Sequence, residues 1–144
     1  MNPLSMSGLE LMQAAAAGHV PKAPIAETIP MEIEHVESGA VRFGARAGAQ
    51  HLNPLGGVHG GFAATVLDSV TGCAVHTMLE AGVGYGTIDL HVTMVRPVPR
   101  DTDLVATGRV INLSRSLGVA EGRLETADGK LLAHATATCL IQRP

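Results

Sequence analysis

The residues best suited to chemistry gather in one stretch, residues 53–69, which reads Asn-Pro-Leu-Gly-Gly-Val-His-Gly-Gly-Phe-Ala-Ala-Thr-Val-Leu-Asp-Ser. A turn-rich segment ends in His59-Gly60-Gly61 and launches an apolar run that carries one carboxylate, Asp68, about two turns in. The first turn of a helix leaves backbone N–H groups unpaired and carries a partial positive charge, and glycine lets an oxygen come close to the main chain. The stretch therefore offers a place to hold a carbonyl or anionic oxygen, with Asp68 as a candidate general base or nucleophile. The plainer alternative is that Asp68 is a solvated residue on a polar stripe and that His59 only caps or turns the chain.

The elements that must position these groups follow from periodicity. The helix predicted from Gly60 runs to about Glu80, with Gly82 as its stop, and is apolar almost all round through Phe62, Ala63, Val66, Leu67, Val70, Cys73, Ala74, Met78 and Leu79. Such a helix is buried. Its exception is a line at helical spacing, Thr65, Asp68 with Ser69, Gly72 and His76. Ahead of it, residues 31–37 and 40–47 alternate as two strands around Ser38-Gly39, with Val41, Phe43, Ala45 and Ala47 on one face. Residues 48–58 form a loop. Behind the helix, Ile88, Leu90, Val92 and Met94 alternate with Thr87, Asp89, His91 and Thr93 until Pro97 and Pro99 end the strand. Residues 104–113 and 117–126 read as strands, and Asp128-Gly129 turns into a last one, 130–142, whose inward face is Ala133, Ala135, Ala137, Cys139 and Ile141. At the start of the chain, Ser7 and Glu10 match a capping box, Gly18 a stop, and Leu9, Met12 and Ala16 would face inward. Residues 20–30, with three prolines, form an extended connector. The whole reads as α+β, an antiparallel sheet curled around one long helix: residues 1–30 as helix and connector, 31–144 as one domain.

Composition excludes several classes. A formal charge of -3, two Phe, one Tyr and no Trp give neither a basic footprint nor a stacking platform, so no nucleic-acid partner is expected. Cys73 and Cys139, far apart and without a CxxC, read as buried thiols of a reducing, cytoplasmic compartment. No segment reads as a membrane span. His35, His51, His91 and His134 lack metal-ligand spacing, so no metal is expected. No Gly-x-Ser-x-Gly elbow supports a serine hydrolase.

The combination of Asn53, His59-Gly60-Gly61, an acid nine residues after the His, a buried helix and four following strands resembles the hotdog-fold acyl-CoA thioesterases, in the branch related to the phenylacetate-pathway and 4-hydroxybenzoyl-CoA enzymes. The resemblance runs through roughly residues 31–142. It implies hydrolysis of an aromatic or medium-chain acyl-CoA, with coenzyme A arriving as part of the substrate and no separate cofactor. It assigns the Gly60 N–H to the thioester carbonyl, Asp68 to the role of base or nucleophile, Asn53 and Thr87 to placing water, and His59 to lining the site. Gly61, Val58 and Thr65 would contact substrate, and Arg115 and Ser116 would meet the pantetheine or nucleotide of coenzyme A. The His-Phe-Pro turn of the dehydratases is missing, and a non-catalytic acyl-CoA binding module is the alternative from another class.

Distance then constrains assembly. Gly60 and Asp68 are eight residues apart, about 12 Å along a helix, too far to serve one carbonyl together. If both act, the N–H comes from one subunit and the carboxylate from another, which requires a homodimer with facing helices; exposed sheet edges and faces extend the expectation to a homotetramer.

Overall fold

The computed structural model describes residues 2–144. The capping box forms as read: the Ser7 hydroxyl accepts from the Glu10 N–H at 3.2 Å and the Glu10 carboxylate accepts from the Ser7 N–H at 3.0 Å, starting α1 (Gly8–Ala16). Its inward line differs from the expected one. Gly8, Met12 and Ala14 are buried, Leu9 is half-buried and Ala16 is exposed. The cause is a main-chain contact at the first residue: the Gly8 N–H donates to the Leu79 carbonyl at 2.9 Å, and a Cβ there would lie 1.7 Å from the His76 carbonyl oxygen. The connector holds one helical turn that periodicity is too short to reveal, α2 (Ile25–Thr28), opened by Pro24.

β1 (Met31–Glu37) and β2 (Ala40–Ala45) pair through Ser38-Gly39, where Gly39 takes φ +81°. The long helix α3 (Gly60–His76) ends one turn before Glu80, at the C-cap Thr77. The Thr77 hydroxyl donates to the Ala74 carbonyl at 2.6 Å and accepts from the Gly39 N–H at 2.8 Å, which ties the helix end to the first hairpin. β3 (Gly84–Met94), β4 (Leu104–Leu113), β5 (Leu117–Thr126) and β6 (Leu131–Gln142) complete one antiparallel sheet of order β1-β2-β4-β5-β6-β3. β1 and β3 are its edges.

The sheet wraps α3, which packs on β2 through β6. Val66, Leu67, Val70 and Ala74 meet Phe43, Leu104, Ala106, Leu124, Ala133 and Ala135, all buried. The approach is close because Gly108 of β4 and Gly122 of β5 face each other across the ladder beneath the helix. A Cβ on Gly108 would stand 2.1 Å from the Val70 carbonyl oxygen, and one on Gly122 3.1 Å from the Thr71 methyl.

One correction bears on the site. Strict alternation puts Ile88 inward with Leu90 and Thr87 outward with Asp89. A β-bulge between Thr87 and Asp89 adds one residue instead, so Ile88 is 60% exposed, while Thr87 pairs opposite the buried Cys139 and joins the helix-facing side. Gly108→Val is expected to destabilise the protein by about 3 kcal/mol, the scale of an overpacked core, read as a fall in the urea midpoint.

Candidate active site

The start of α3 is held by its own loop. The Asn53 side-chain oxygen accepts from the Leu55 N–H at 2.9 Å and the Gly57 N–H at 3.2 Å, and its main chain pairs with Gly56 and Gly57. That is an Asx turn, so the Asn53 oxygen is spent on the loop and its amide NH2 is the part left for anything else. His51 anchors the same loop from below. It is buried against Phe62, its Nδ1 accepts from the Gly48 N–H at 2.9 Å and its Nε2 donates to the Thr28 carbonyl at 2.8 Å, while its carbonyl accepts from the His59 N–H. Sequence reasoning grouped His51 with the scattered histidines. Its signal, a His two residues ahead of an Asn-Pro turn, is too common to single out.

His59 is the N-cap of α3: its exposed ring accepts the Gly61 N–H at Nδ1, 2.8 Å away. This spends the Gly61 N–H and leaves that of Gly60, which has no acceptor among the described residues and lies at the surface. The Met94 methyl is the nearest side-chain group, 3.2 Å from where a Gly60 Cβ would be. Val58, half-buried, packs beneath the turn on the core.

Asp68 stands midway along the helix in different company. The hydroxyls around it are turned into the main chain: Thr65 donates to the Gly61 carbonyl at 2.9 Å, Ser69 to the Thr65 carbonyl at 2.9 Å and Thr71 to the Leu67 carbonyl at 2.8 Å. Asp68 Oδ1 is enclosed and has no hydrogen-bond partner among the described residues. A buried acceptor in that state costs free energy, which a donor brought in by a small local rearrangement would recover.

That carboxylate borders a cavity of about 850 Å³, shared with Ser69, Gly72 and Cys73 of α3, Tyr85 and Thr87 of β3, Phe43 of β2, and α1 with the connector. The bulge turns Thr87 toward this space, where its hydroxyl lies 3.8 Å from the Cys139 sulfur. Tyr85 covers Gly72, 3.0 Å from where a Cβ would sit, and its ring centroid is 5.1 Å from that of His76. Burial pushes the Cys73 thiol pKa up to about 12, opposed by its hydrogen bond with Tyr85 and reinforced by the Asp68 charge, so Cys73 is a neutral thiol rather than a nucleophile. Burial raises the Tyr85 phenol and lowers His76, which leaves both uncharged at neutral pH.

The structure thus gathers the sequence-derived residues in three places. Asn53, Val58, His59, Gly60 and Gly61 form the helix start, with Thr65 one turn in. Asp68, about 12 Å further along α3, and Thr87 of β3 both line the cavity. Arg115 and Ser116 lie exposed in the β4–β5 turn, beside the last turn of the helix, where neighbouring Gly118 packs on Val75; the Arg115 carbonyl accepts from the Arg143 side chain at 3.1 Å. Tyr85, Cys73 and the α1 wall were not identified as site elements from sequence. Tyr85 carries only its rarity as a signal, and the wall depends on tertiary packing. Among the described residues no cluster of His, Cys, Asp or Glu suits a metal ion, and no helix is long and apolar enough to cross a membrane.

Comparison with known proteins gives a consistent result. A family model described as the thioesterase superfamily matches residues 55–133. Mouse acyl-coenzyme A thioesterase 13 is 31% identical over 90 residues, which cover 62% of this chain and 64% of that protein, so less than two thirds of the relative's length is matched. Among solved structures, a phenylacetic acid degradation-related protein of Ralstonia eutropha JMP134 superposes with a TM-score of 0.81 at 32% identity, covering 90% of this chain and 98% of the other. A thioesterase family protein of Silicibacter pomeroyi shares the fold, with a TM-score of 0.80 at 22% identity over 92% of this chain and 99% of its own.

Two solution measurements test this environment. With Cys73 and Cys139 both raised by burial, neither thiol should react with iodoacetamide at pH 7.5 in the native protein, whereas both should react in urea, as read by intact mass; native labelling at the unfolded rate would contradict it. His76 is held neutral, its folded pKa below the ordinary 6.5. Its stabilising share is therefore present above that value and lost as pH falls through the folded one. The drop in Tm from pH 7.5 to 5 should be smaller in His76→Gln than in the wild type.

Proposed function

The chain belongs to the thioesterase superfamily, and on that premise we propose that it hydrolyses an aromatic or medium-chain acyl-CoA to the free acid and coenzyme A, in a site shared between two copies. The observation that carries this reading is Asp68 itself, a carboxylate on the wall of a cavity with one oxygen, Oδ1, enclosed and without a partner among the described residues. The carbonyl oxygen of the thioester accepts the free Gly60 N–H of the partner copy, at a helix start where developing negative charge is favoured. Asp68 takes a proton from water as the oxygen attacks the carbonyl carbon, the C–S bond breaks, and the proton passes to the departing sulfur; in the other version the carboxylate attacks first and water opens the resulting anhydride. Water is the sole co-reactant in either case, and no cofactor is needed.

Thr87, which lines the same cavity because of the bulge, would use its hydroxyl to orient water beside Asp68. Asn53 acts chiefly by holding the loop that presents Gly60, and His59 by capping it, which keeps the Gly61 N–H occupied and the Gly60 N–H open. Arg115, an exposed planar donor, would meet a phosphate of coenzyme A, with Ser116 beside it. Dimers would pair further into a tetramer through the outer sheet face, where Leu117 and Leu140 form an exposed apolar cross-strand pair. The two free thiols support a reducing, cytoplasmic setting.

Release of free thiol from benzoyl-CoA and decanoyl-CoA tests the reaction. Asp68→Asn should lower kcat/KM by about 10²–10⁴-fold, while binding persists; equal, inert wild type and variant that still bind acyl-CoA would mark a binding module instead. The shared site has its own test in Gly60→Pro. Proline suits the first helical position, and the extended backbone of His59 suits the residue before it, so the change removes the N–H while asking only the flexible Met94 methyl to give way. Each variant alone should be inactive. Mixed and re-equilibrated, they should recover up to about a quarter of wild-type activity, because half the dimers then hold one intact site of two.

A further inference from the structure

The cavity at Asp68 has a second wall, which lies outside the matched residues 55–133: α1 and the connector, through Leu11, Met12, Ala15, Val20 and Ile25. This wall is fastened at both ends. At one, the Gly8 N–H bonds the Leu79 carbonyl and its main chain rests on that of His76. At the other, the Thr28 carbonyl accepts from buried His51, and Lys22 pairs with Glu32 across the rim. A segment held this way keeps its shape, as a selective pocket requires.

The chemistry of the lining is graded. Polar groups gather at the Asp68 and Thr87 end, whereas the far end carries aliphatic side chains and one ion pair that satisfies itself. Little aromatic face is offered for stacking: Phe43 is 3% exposed, and Tyr85, half-buried on the cavity wall, sets its ring edge over Gly72 and tilts against His76. An aryl acyl group would gain less from stacking here than in a pocket lined by open rings. A flexible methylene chain is matched by Met12, whose unbranched side chain adapts to it, and the volume of about 850 Å³ lies in the range of small-molecule sites, roughly 300–1,000 Å³.

We propose that α1 and the connector form the acyl-selecting wall, with Ala15 and Ile25 as specificity-determining residues, and that the acyl group is an aliphatic chain running from Asp68 toward α1. This rests on the thioesterase reading and narrows it. The thioester lies at the polar end and the methylenes displace water from the wall.

The test pairs kinetics with binding. kcat/KM is measured for butyryl-CoA, decanoyl-CoA and phenylacetyl-CoA, and Kd for the uncleavable thioether S-decyl-CoA, in the wild type, Ala15→Phe and Ile25→Ala. Ile25 lies half in solvent, so its truncation spares the fold should Ala15→Phe fail to fold. The wild type should prefer decanoyl- to phenylacetyl-CoA by about tenfold or more. Ala15→Phe, which fills the wall, should lower the decanoyl-to-butyryl ratio about tenfold, and Ile25→Ala about threefold, with parallel losses in S-decyl-CoA affinity. A wild type that prefers phenylacetyl-CoA, or a ratio and Kd that neither variant moves, overturns the wall while leaving hydrolysis intact. If nothing is cleaved but S-decyl-CoA affinity falls in the variants, the wall stands and hydrolysis falls. If S-decyl-CoA is not bound and none of the three thioesters is cleaved, both fall.

Discussion

Everything in this fold depends on how closely α3 lies on the sheet. Gly108 brings sheet main chain against the helix main chain at Val70, Gly122 admits the side chains of Leu67, Val70 and Thr71, and the small inner residues Ala106, Ala120, Ala133, Ala135 and Ala137 let the remaining strands close round the same cylinder. A helix enclosed so completely has one open line left, and that line carries Thr65, Asp68, Ser69 and His76. The carboxylate is therefore placed by the packing of residues on the opposite side of its own helix. A shift of α3 away from the sheet would move Asp68 before it disturbed any group that touches it.

Polar satisfaction divides the site into parts that hold and parts that wait. Thr65, Ser69 and Thr71 all return their hydroxyls to the helix backbone, His51 uses both ring nitrogens, and Asn53 uses its oxygen twice. Against that background the Gly60 N–H and Asp68 Oδ1, a donor and an acceptor, have no partner among the described residues, and they lie on one helix two turns apart. Two groups of opposite sense that cannot reach a common atom within one chain could serve one ligand only if two copies met about a two-fold axis, which is the arrangement proposed.

Much of this was legible in the sequence because it is local or periodic. The capping box at Ser7, the turns at Gly39 and Gly129, the alanine face of β6 and the all-round apolar character of α3 each depend on a few neighbouring residues. The failures share a cause as well. The bulge at Ile88 changes the phase of β3 without any mark in its composition, so simple alternation turned Thr87 the wrong way. The helix stops at His76 because Thr77 finds a partner in a distant hairpin, and Ala16 faces outward because Gly8 docks on main chain far along the sequence. Tyr85 and the α1 wall acquire their places only through contacts made across the cavity.

The His59 cap distributes vulnerability unevenly between the two halves of the proposed site. The donor half is a backbone group: side-chain replacement at Gly60 would crowd the Met94 methyl but leave an N–H in place, so sequence drift there alters fit more readily than chemistry. The acceptor half resides in a single side chain with no neighbour aligned to substitute for it. On the proposed reading, change at the helix start would be tolerated more readily than change at Asp68, and a variant that lost the acid would keep its pocket and an open N–H, a receptor for the ligand it no longer cleaved.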